Sequence, residues 1–291
     1  MHLKDLAYFE SLAVHKNYTL VAEQFHVTQP TITYAIKRLE QEVGATLFTR
    51  NQAHKEVNLT EAGAILLQSA RHIQVEWSTA TKEIQRLNRH KIHLGSPPII
   101  ETYLFSKVAK KLLKANVLQL IETEEVGSSK LLTLLRQGNI DIALIGATEN
   151  FDLTDLEVVE LASFPFIIVA KANDPRNFAS FADFANDAFI SLDEQFVHPK
   201  AFKTLSNQSG VQPHIIYQSN NVTAMKNLVR EGIGLAFLTE LAMQKDEIGL
   251  KKIGLIDQPQ PNFHVYMAFR KQHYMTQDQI KVSEIIKSAF Q

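Results

Sequence analysis

The sequence predicts an α+β protein in three parts: a small N-terminal helical module, one long helix and a larger C-terminal α/β region. Three observations lead to this prediction. Apolar residues recur at helical spacing over residues 3–39, a heptad pattern begins near residue 60, and strand and helix patterns alternate from residue 90 onwards. We therefore divide the chain into domains at 1–58, 59–89 and 90–291.

The first module begins with two short helices in close succession. Residues 3–14 carry apolar side chains at helical spacing, and residues 20–25 repeat the pattern with Thr19 as the predicted N-cap. His26 and Val27 follow as a tight turn.

The third helix has a defined start and two distinct faces. Thr28 is its predicted N-cap, and Pro30 lies in the first turn, where its missing N–H costs no hydrogen bond. Gln and Thr side chains can contact base edges, whereas Lys and Arg suit phosphates. The candidate DNA-contacting residues on this helix are Gln29, Pro30, Thr31, Thr33, Tyr34, Lys37 and Arg38. A polar helix after a tight turn is typical of a helix-turn-helix. By spacing alone, a three-helix lobe with a solvated polar face remains the alternative.

The segment after this helix favours the DNA-binding interpretation. Residues 49–60, "TRNQAHKEVNLT", contain two strand-like pieces with the cations Arg50, His54 and Lys55 between or beside them. Such a hairpin is a wing whose cations face phosphates. The first 60 residues carry equal numbers of basic and acidic side chains, so the acids must face away from DNA.

The run "VAEQFHVTQPTITYAIKRLEQEVGATLFTR", residues 21–50, followed by "LTEAG", resembles the N-terminal signature of LysR-type transcriptional regulators. The matching positions are Val21, Ala22, Thr28, Gln29, Pro30, Thr33, Ile36, Leu39, Glu40, Val43, Gly44, Leu47, Phe48, Arg50, Thr60, Glu61, Ala62 and Gly63. The departures, Val for Ala and Thr for Ser at two positions, are conservative. The resemblance implies a winged helix-turn-helix that binds a double-stranded DNA operator, a ligand sensor in the remainder of the chain, and a contact with RNA polymerase.

A single helix is predicted from Thr60 to about Arg89. Its apolar residues alternate in steps of four and three: Leu66, Ala70, Ile73, Trp77, Ala80, Ile84 and Leu87. This repeat of about 3.5 residues is typical of a two-helix coiled coil. In the resembled family the helix dimerises the DNA-binding modules, which implies a homodimer and, as is typical there, a tetramer. Packing of the stripe against the chain's own C-terminal domain is the alternative.

From residue 90 strand and helix patterns alternate in two sets. The first set is "IHLGS", a helix near 101–114, "LQLIETE", a helix near 128–137 and "IDIALIG"; the second is "FPFIIVAK", "AFISL", a helix near 199–208, "HIIYQS", a helix near 221–231 and "GIGLAFLTEL". "FHVYMAFRK" and "TQDQIKVSEIIKSAF" add a late strand and a closing helix. Alternation of this kind predicts a parallel α/β sheet in two subdomains.

Residues 92–291 resemble the effector domain of the same family, most clearly in "LRQGNIDIALIG" and "VREGIGLAFLTE". That resemblance implies a periplasmic-binding-protein-like fold with a small molecule between the subdomains, near helix N-termini. The matching junctions give these candidate effector residues: Ser96, Pro97, Pro98, Ser128, Ser129, Ala147, Thr148, Phe196, Val197, His198, Ser219, Asn220 and Thr223, with Gly127 and Gly146 beside them.

The same junction residues have an ordinary structural interpretation. Ser, Asn and Gly before helices commonly serve as caps and turns. His198 precedes a proline and is predicted to be a surface or cap residue rather than a titrating sensor. A cleft rich in hydroxyls, amides and helix N-termini suits a small carboxylate. A sugar or an amide would fit it nearly as well.

A narrower resemblance concerns the effector. "LKDLAYFESL" and "TQPTITYAIKRLE", with Tyr34 and Ala35, are similar to activators of malolactic fermentation operons in lactic acid bacteria. In those regulators the effector is L-malate.

Other classes of function find little support in the sequence. It lacks phosphate-binding glycine loops, a nucleophile elbow and cysteine, and His90 and His93 alone make a poor metal site, so we predict no cofactor and no metal. No segment has the length of a membrane span or the pattern of a signal peptide, which predicts a cytoplasmic protein. A small-molecule-binding α/β enzyme with an N-terminal helical lobe is the main alternative; an architectural DNA-binding protein would not need two α/β subdomains.

Overall fold

The protein divides into two units in the computed structural model, Met1–Gln85 and Arg86–Gln291. The structure describes residues 2–51, 56–87, 90–149, 154–244, 247–271 and 274–290. Helix and sheet contents are mixed, and the predicted α+β class is confirmed. Within the described residues, no helix combines the length and the apolar character needed to cross a membrane.

The N-terminal unit is a helical bundle with a hairpin. Its elements are α1 (Leu3–His15), α2 (Tyr18–Gln24), α3 (Gln29–Val43), β1 (Phe48–Asn51), β2 (Glu56–Leu59) and α4 (Glu61–Leu87). β1 and β2 pair antiparallel, with Phe48 opposite Leu59, so the predicted hairpin is confirmed. Apolar side chains of all three short helices and the hairpin form one core, which includes Leu6, Phe9, Leu12, Val21, Ile32, Ile36, Leu39, Leu47 and Val57.

The start of α2 differs from the sequence prediction. Thr19 was expected to cap this helix, but the helix begins at Tyr18 and Asn17 is its cap. The Asn17 side chain accepts hydrogen bonds from the backbone N–H groups of Thr19 and Leu20, at 2.8 and 3.2 Å. An asparagine oxygen satisfies two helix-terminal donors here, whereas a threonine two residues later would leave them unpaired.

An ion pair between the buried Asp5 and the half-exposed Arg38 joins α1 to α3. Asp5 is 1% exposed and accepts the backbone N–H of His2 at the start of α1. Arg38 on α3 donates to both Asp5 carboxylate oxygens, through Nε at 2.9 Å and through Nη2. Burial raises the pKa of Asp5, but the hydrogen bonds and charge of Arg38 outweigh burial and hold the pKa below its ordinary value. The ionised form of Asp5 therefore stabilises the module.

The long helix α4 contributes to the same core with its first turns only. Ala70 is fully buried, and Leu66 packs against the core. Ala70 was predicted to lie in a dimer seam, and this prediction is wrong, because its side chain is already covered within the chain. From Ile73 onwards the apolar residues of the heptad repeat are exposed: Trp77 is 61% exposed, and Ile84 also 61%.

The C-terminal unit carries the remaining helices and strands. They are β3 (Ile92–Ser96), α5 (Pro98–Ile100), a π-helix (Glu101–Phe105), α6 (Ser106–Lys114), β4 (Ile121–Glu125), α7 (Ser128–Arg136), β5 (Ile142–Ala147), β6 (Leu156–Lys171), β7 (Phe178–Ala179), β8 (Ala188–Leu192), α8 (His198–Ser209), β9 (His214–Ser219), α9 (Val222–Glu231), β10 (Leu235–Thr239), β11 (Leu250–Leu255), β12 (Asn262–Arg270) and α10 (Gln277–Ser288). Short 3₁₀ turns lie at Leu118–Leu120, Phe181–Phe184 and Glu240–Ala242.

These strands form one continuous ladder in the order β4-β3-β5-β12-β6-β10-β8-β9, with β11 and β7 attached through β6. The sequence predicted a parallel sheet, but the sheet is mixed. β3 pairs parallel with β4 and β5, and β8 with β9 and β10, whereas β12 runs antiparallel to β5 and β6. β6 also pairs antiparallel with β10 and β11.

The long strand β6 divides the sheet into two subdomains. Residues 156–165 of β6 pair with β12, and residues 166–171 pair with β10 and β11. The first subdomain contains β3, β4, β5, β12 and the helices α5, α6, α7 and α10; the second contains β7–β11, α8 and α9. The two predicted sets of strands therefore share one strand.

We predict that Asp5→Asn lowers the stability of the N-terminal unit, because it leaves Arg38 with a neutral partner. The expected loss is about 1–3 kcal/mol at pH 7. Since the folded-state pKa of Asp5 lies below the unfolded value, this stabilisation is present above pH 4 or so and disappears as the pH falls further. Hydrogen exchange of peptides from α1 and α3, at pH 7 in the full-length protein, measures the change.

Arg71→Ala is the matched control. It removes the more exposed ion pair of Arg71 with Glu10, at 3.0 Å, and should change exchange in α1 very little. Equal exchange rates in wild type and Asp5→Asn would contradict a stabilising role for the Asp5–Arg38 pair.

Candidate functional site

The first candidate site is the exposed face of α3. Ile32, Ala35, Ile36 and Leu39 are buried, so the helix is fixed with its other face outward. Val27 N–H donates to the carbonyl of Ala22 at 2.9 Å, and His26 takes a left-handed conformation with φ 53°. This tight turn places α3 across α2.

The polar residues of that face are arranged by hydrogen bonds with one another. Gln29 donates through Nε2 to the hydroxyl of Thr33 at 2.9 Å, and the hydroxyls of Thr28 and Thr31 lie 2.9 Å apart. Gln29, Pro30, Thr31, Tyr34 and Lys37 are exposed, and Thr33 is half-buried. Tyr34 is 70% exposed, so its ring is accessible on this face. The face can therefore offer both hydrogen-bonding groups and an aromatic ring.

The predicted cations of this region differ in their surroundings. Lys37 is exposed on α3, whereas the Arg38 guanidinium is bound to Asp5. The backbone of Arg50 lies in β1 opposite Val57. His54 and Lys55 lie outside the described residues.

The second candidate site is a cavity between the two subdomains. It encloses about 280 Å³ of space, part of it open to solvent. Its lining residues are Pro97, Ile99, Gly127, Ser128, Gly146, Gln195, Phe196, Val197, His198 and Phe263. The carboxyl ends of β3 and β5 and the start of α7 form one wall, and the segment before α8 forms the other. Ligands of open α/β sheets bind at such strand ends.

Hydrogen-bond donors in this cavity come from neutral groups. The Ser128 hydroxyl oxygen accepts the backbone N–H of Gly146 at 3.0 Å, which leaves its own proton available. α7 begins at Ser128 without a side-chain cap, so its first N–H groups have no side-chain acceptor. Gln195 donates its amide to Asp193 at 2.8 Å. Apart from His198, the other side chains of the lining are apolar, and among the described residues that line it there is no lysine or arginine.

His198 lines the cavity from an apolar cage. It is 2% exposed, so the predicted surface position is wrong. Its ring packs against Phe166 and Phe263, with centroids 5.3 and 5.6 Å apart. Burial lowers the pKa of His198 to about 3, so the imidazole is neutral at pH 7.

Contacts between the subdomains border the cavity. A Cβ added to Gly127 would lie 3.0 Å from the carbonyl oxygen of Gln195, so these backbones meet closely. The Lys226 ammonium, on α9, donates to the Tyr103 hydroxyl at 3.1 Å and pairs with Glu247 at 2.8 Å. Lys226 is buried in this arrangement.

The structure brings together only part of the predicted effector set. Pro97, Ser128, Phe196, Val197 and His198 line the cavity; Pro98, Ser129, Ala147, Thr148, Ser219, Asn220 and Thr223 do not. Ser96 is also absent from the lining and is completely buried.

Three lining residues were not predicted: Ile99, Gln195 and Phe263. Gln195 directly precedes the predicted Phe196, and Ile99 follows two predicted prolines, so both could have been found as neighbours. Phe263 lies on the late strand β12, which the sequence placed away from the junctions; its ring fills the space left by the missing side chain of Gly146, where a Cβ would come within 2.6 Å.

Comparison with known proteins gives consistent matches over the whole chain. The family described as "LysR substrate binding domain" matches residues 85–291, and "Bacterial regulatory helix-turn-helix protein, lysR family" matches residues 3–64. The chain is 32% identical over 291 residues to the malolactic fermentation system transcriptional activator of Lactococcus lactis subsp. lactis, covering 99% of each chain.

Solved structures show the same fold. A full-length OxyR variant from Pseudomonas aeruginosa matches with TM-score 0.59 and 20% identity, covering 100% of this chain and 94% of that one. Full-length CbnR in a complex with its target DNA matches with TM-score 0.57 and 16% identity, covering 100% of both chains. Given both family matches and the full-length relative, this chain belongs to the LysR family of bacterial helix-turn-helix regulators.

Proposed function

We propose that this protein is a sequence-specific DNA-binding transcriptional regulator whose operator binding changes when a small organic acid, foremost L-malate, binds between its C-terminal subdomains. Residues 1–58 bind the operator, residues 59–89 join two copies, and residues 90–291 bind the effector. The proposal rests on one observation: the same chain has an exposed polar face on α3 and a cleft between its C-terminal subdomains.

The DNA-binding part of the proposal rests on the geometry of α3. Its buried stripe fixes the helix, while Gln29, Thr31, Thr33 and Tyr34 occupy the face that could enter a major groove. Lys37 adds an exposed cation for phosphate. Arg38 is a weaker candidate, because a phosphate contact would compete with its bond to Asp5.

Dimerisation is supported by the exposed stripe of α4. Ile73, Trp77, Ala80 and Ile84 continue the heptad after the helix leaves its own core, and all four are exposed. A large apolar stripe on a helix stabilises a coiled coil when a second copy covers it. Two DNA-binding modules held together in this way would contact two half-sites of an operator.

The choice of a carboxylate rests on the donors in the cleft. The first turn of α7, the Ser128 hydroxyl and His198 surround a mostly apolar space. Such donors stabilise an anion without a lysine or arginine. The L. lactis relative is named for malolactic fermentation, which points to malate among small acids.

The cleft does not support catalysis, and we infer that the protein is not an enzyme. Within the described lining, Ser128 is the hydroxyl and His198 the only imidazole. His198 Nε2 accepts the backbone N–H of Thr239, at 3.3 Å, and the Ser128 oxygen accepts from Gly146. No nucleophile–base pair is formed between them.

Coupling to DNA follows from a change in the cleft. A ligand that contacts both walls favours the closed arrangement of the subdomains, and the shift is limited by its preference for that state. In a dimer or tetramer, this movement would alter the spacing of the paired DNA-binding modules.

We expect Thr31→Ala and Lys37→Ala to weaken DNA binding in different ways. Loss of the Thr31 hydroxyl should change the preference among base variants by ~1–3 kcal/mol, because it removes a base-edge contact. Loss of the Lys37 ammonium should weaken all duplexes alike and reduce the salt slope by about one. Titration of duplexes selected by the wild type from a random library, at several salt concentrations, measures both effects.

Lys130→Ala is the control for charge, since Lys130 is an exposed lysine of the C-terminal unit. It should leave the affinity and salt slope unchanged. Wild-type affinity and sequence preference in both α3 variants would show that this face does not contact DNA.

We expect Trp77→Glu to dissociate the oligomer, because it places a charge in an apolar seam. Sedimentation should show a smaller species, and DNA affinity should fall with it. Val75→Glu is the control: Val75 is also an exposed apolar residue of α4, but it lies off the stripe. An unchanged sedimentation coefficient in Trp77→Glu would place the interface elsewhere.

We expect Ser128→Ala to weaken L-malate binding roughly tenfold, since one hydrogen bond to a charged ligand is lost. Calorimetry on the full-length protein measures the affinity. Ser129→Ala is the matched control, because Ser129 is exposed in the same helical turn and does not line the cleft. If only sugars or amides bind, the carboxylate part of the proposal is wrong and the sensor part stands.

A further inference from the structure

His198 has one ring nitrogen occupied and one without a partner. Nε2 accepts the backbone N–H of Thr239 at 3.3 Å. Because a backbone N–H can only donate, Nε2 must carry the lone pair, and the proton of the neutral ring must be on Nδ1. Thr239 is completely buried at the end of β10, so the donor that assigns the tautomer belongs to a core strand.

Nδ1 is therefore a buried donor. Its surface is inaccessible, and among the described residues no atom accepts a hydrogen bond from it. Buried polar groups in proteins are nearly always paired, and one left unpaired indicates a missing partner or a functional role. The ring itself lines the cleft between the subdomains.

The surroundings of the ring exclude a charged role. Phe166, Phe196 and Phe263 enclose it, with the Phe166 ring nearly perpendicular at 87°. Burial among these side chains lowers the pKa of His198 to about 3. The imidazole is thus neutral at pH 7, and the contact with Thr239 assigns its proton to Nδ1.

We propose that His198 Nδ1–H donates a hydrogen bond to an oxygen of the effector and is a specificity-determining contact of the cleft. This proposal rests on the proposed function, since it assigns a role within the same site. His198 belongs to the second subdomain and Ser128, with the first turn of α7, to the first. One carboxylate that bridges these donors would hold the two walls together.

The geometry also defines which ligands are favoured. An N–H donor in an apolar cage accepts a carboxylate or carbonyl oxygen and rejects an ammonium group, which would bring a second donor against it. The side chains of Ile99, Val197 and Phe263 in the same lining offer no hydrogen bond. We therefore expect a small acid that places one carboxylate between His198 and the first turn of α7.

Two variants of His198 test the roles of its two ring nitrogens separately. His198→Asn keeps an amide N–H near the position of Nδ1 and loses the acceptor for Thr239, whereas His198→Gln places its amide near Nε2 and lacks a donor at Nδ1. In calorimetry with L-malate on the full-length protein, the Gln variant should bind about tenfold more weakly and the Asn variant within about threefold of wild type. Equal losses in both variants would contradict the assignment.

A second measurement does not depend on the folding of any variant. Two-bond ¹⁵N–¹H spectra of the histidine-labelled wild type report which ring nitrogen carries the proton. We expect His198 to be protonated on Nδ1 without ligand, and the Nδ1–H resonance to move on addition of L-malate. A proton on Nε2, or an unchanged Nδ1–H signal while calorimetry detects malate binding, would overturn the proposal.

If the proposed function is wrong, these experiments give a different result from the one expected when only the role of His198 is wrong. If the wild type binds no small carboxylate at all, the effector assignment is wrong, and the tautomer would still be seen in the spectrum. If malate binds and His198 does not respond, the effector assignment stands and only the role of His198 is rejected.

Discussion

The continuous hydrogen-bond ladder of β6 is the constraint on which the C-terminal unit depends. One half of this strand belongs to each subdomain, and the partner changes between Pro165, opposite Asn262, and Phe166, opposite Thr239. Proline has no N–H to donate, and it stands where the ladder passes from β12 to β10. Because one strand serves both halves, the carboxyl ends of β3 and β5 face the start of α8 across a narrow cleft.

Polar links across that cleft complement the strand. Lys226 is buried, yet its ammonium is fully engaged by Glu247, the carbonyl of Ala242 and the Tyr103 hydroxyl. A buried charge is tolerated only with such partners. Because Tyr103 belongs to the first subdomain and Lys226 to the second, this hydrogen bond depends on the distance between the subdomains. Lys200 and Glu149, 3.0 Å apart, form a second link in an exposed position, where it contributes little. The arrangement of the walls thus depends mainly on close packing near Gly127 and on the buried lysine.

Periodicity made most of this fold predictable. The helices α1, α3, α7, α8 and α9, the hairpin and most strands follow from apolar spacing and turn residues, because those patterns are local. The sequence analysis missed the first half of β6 and strand β11. Charged residues interrupt the apolar pattern in both segments, so neither shows a clear strand periodicity. Ala70 was assigned to the wrong contact because a heptad does not reveal which partner covers it.

The cleft was predictable only in outline, because a local sequence pattern does not show which side chains face each other in the fold. Junction residues indicate where helices begin, but not which of them face inward, so Ser128 and the exposed Ser129 look alike in sequence. Phe263 enters the site from a distant strand, and its place depends on the absence of a side chain at Gly146. His198 was interpreted as a surface residue because a histidine before a proline gives no sign of the three phenylalanines that surround it.

A neutral cleft has a consequence for regulation. Since the described residues of the lining include no lysine or arginine, the proposed effector would rely on oriented N–H and O–H groups, whose contribution depends steeply on distance and angle. In the proposed mechanism, donors on opposite walls satisfy one ligand together only when the walls are close, so most of the binding free energy would be gained in the closed state. That difference between states, rather than the affinity itself, sets how strongly the ligand can act on DNA binding.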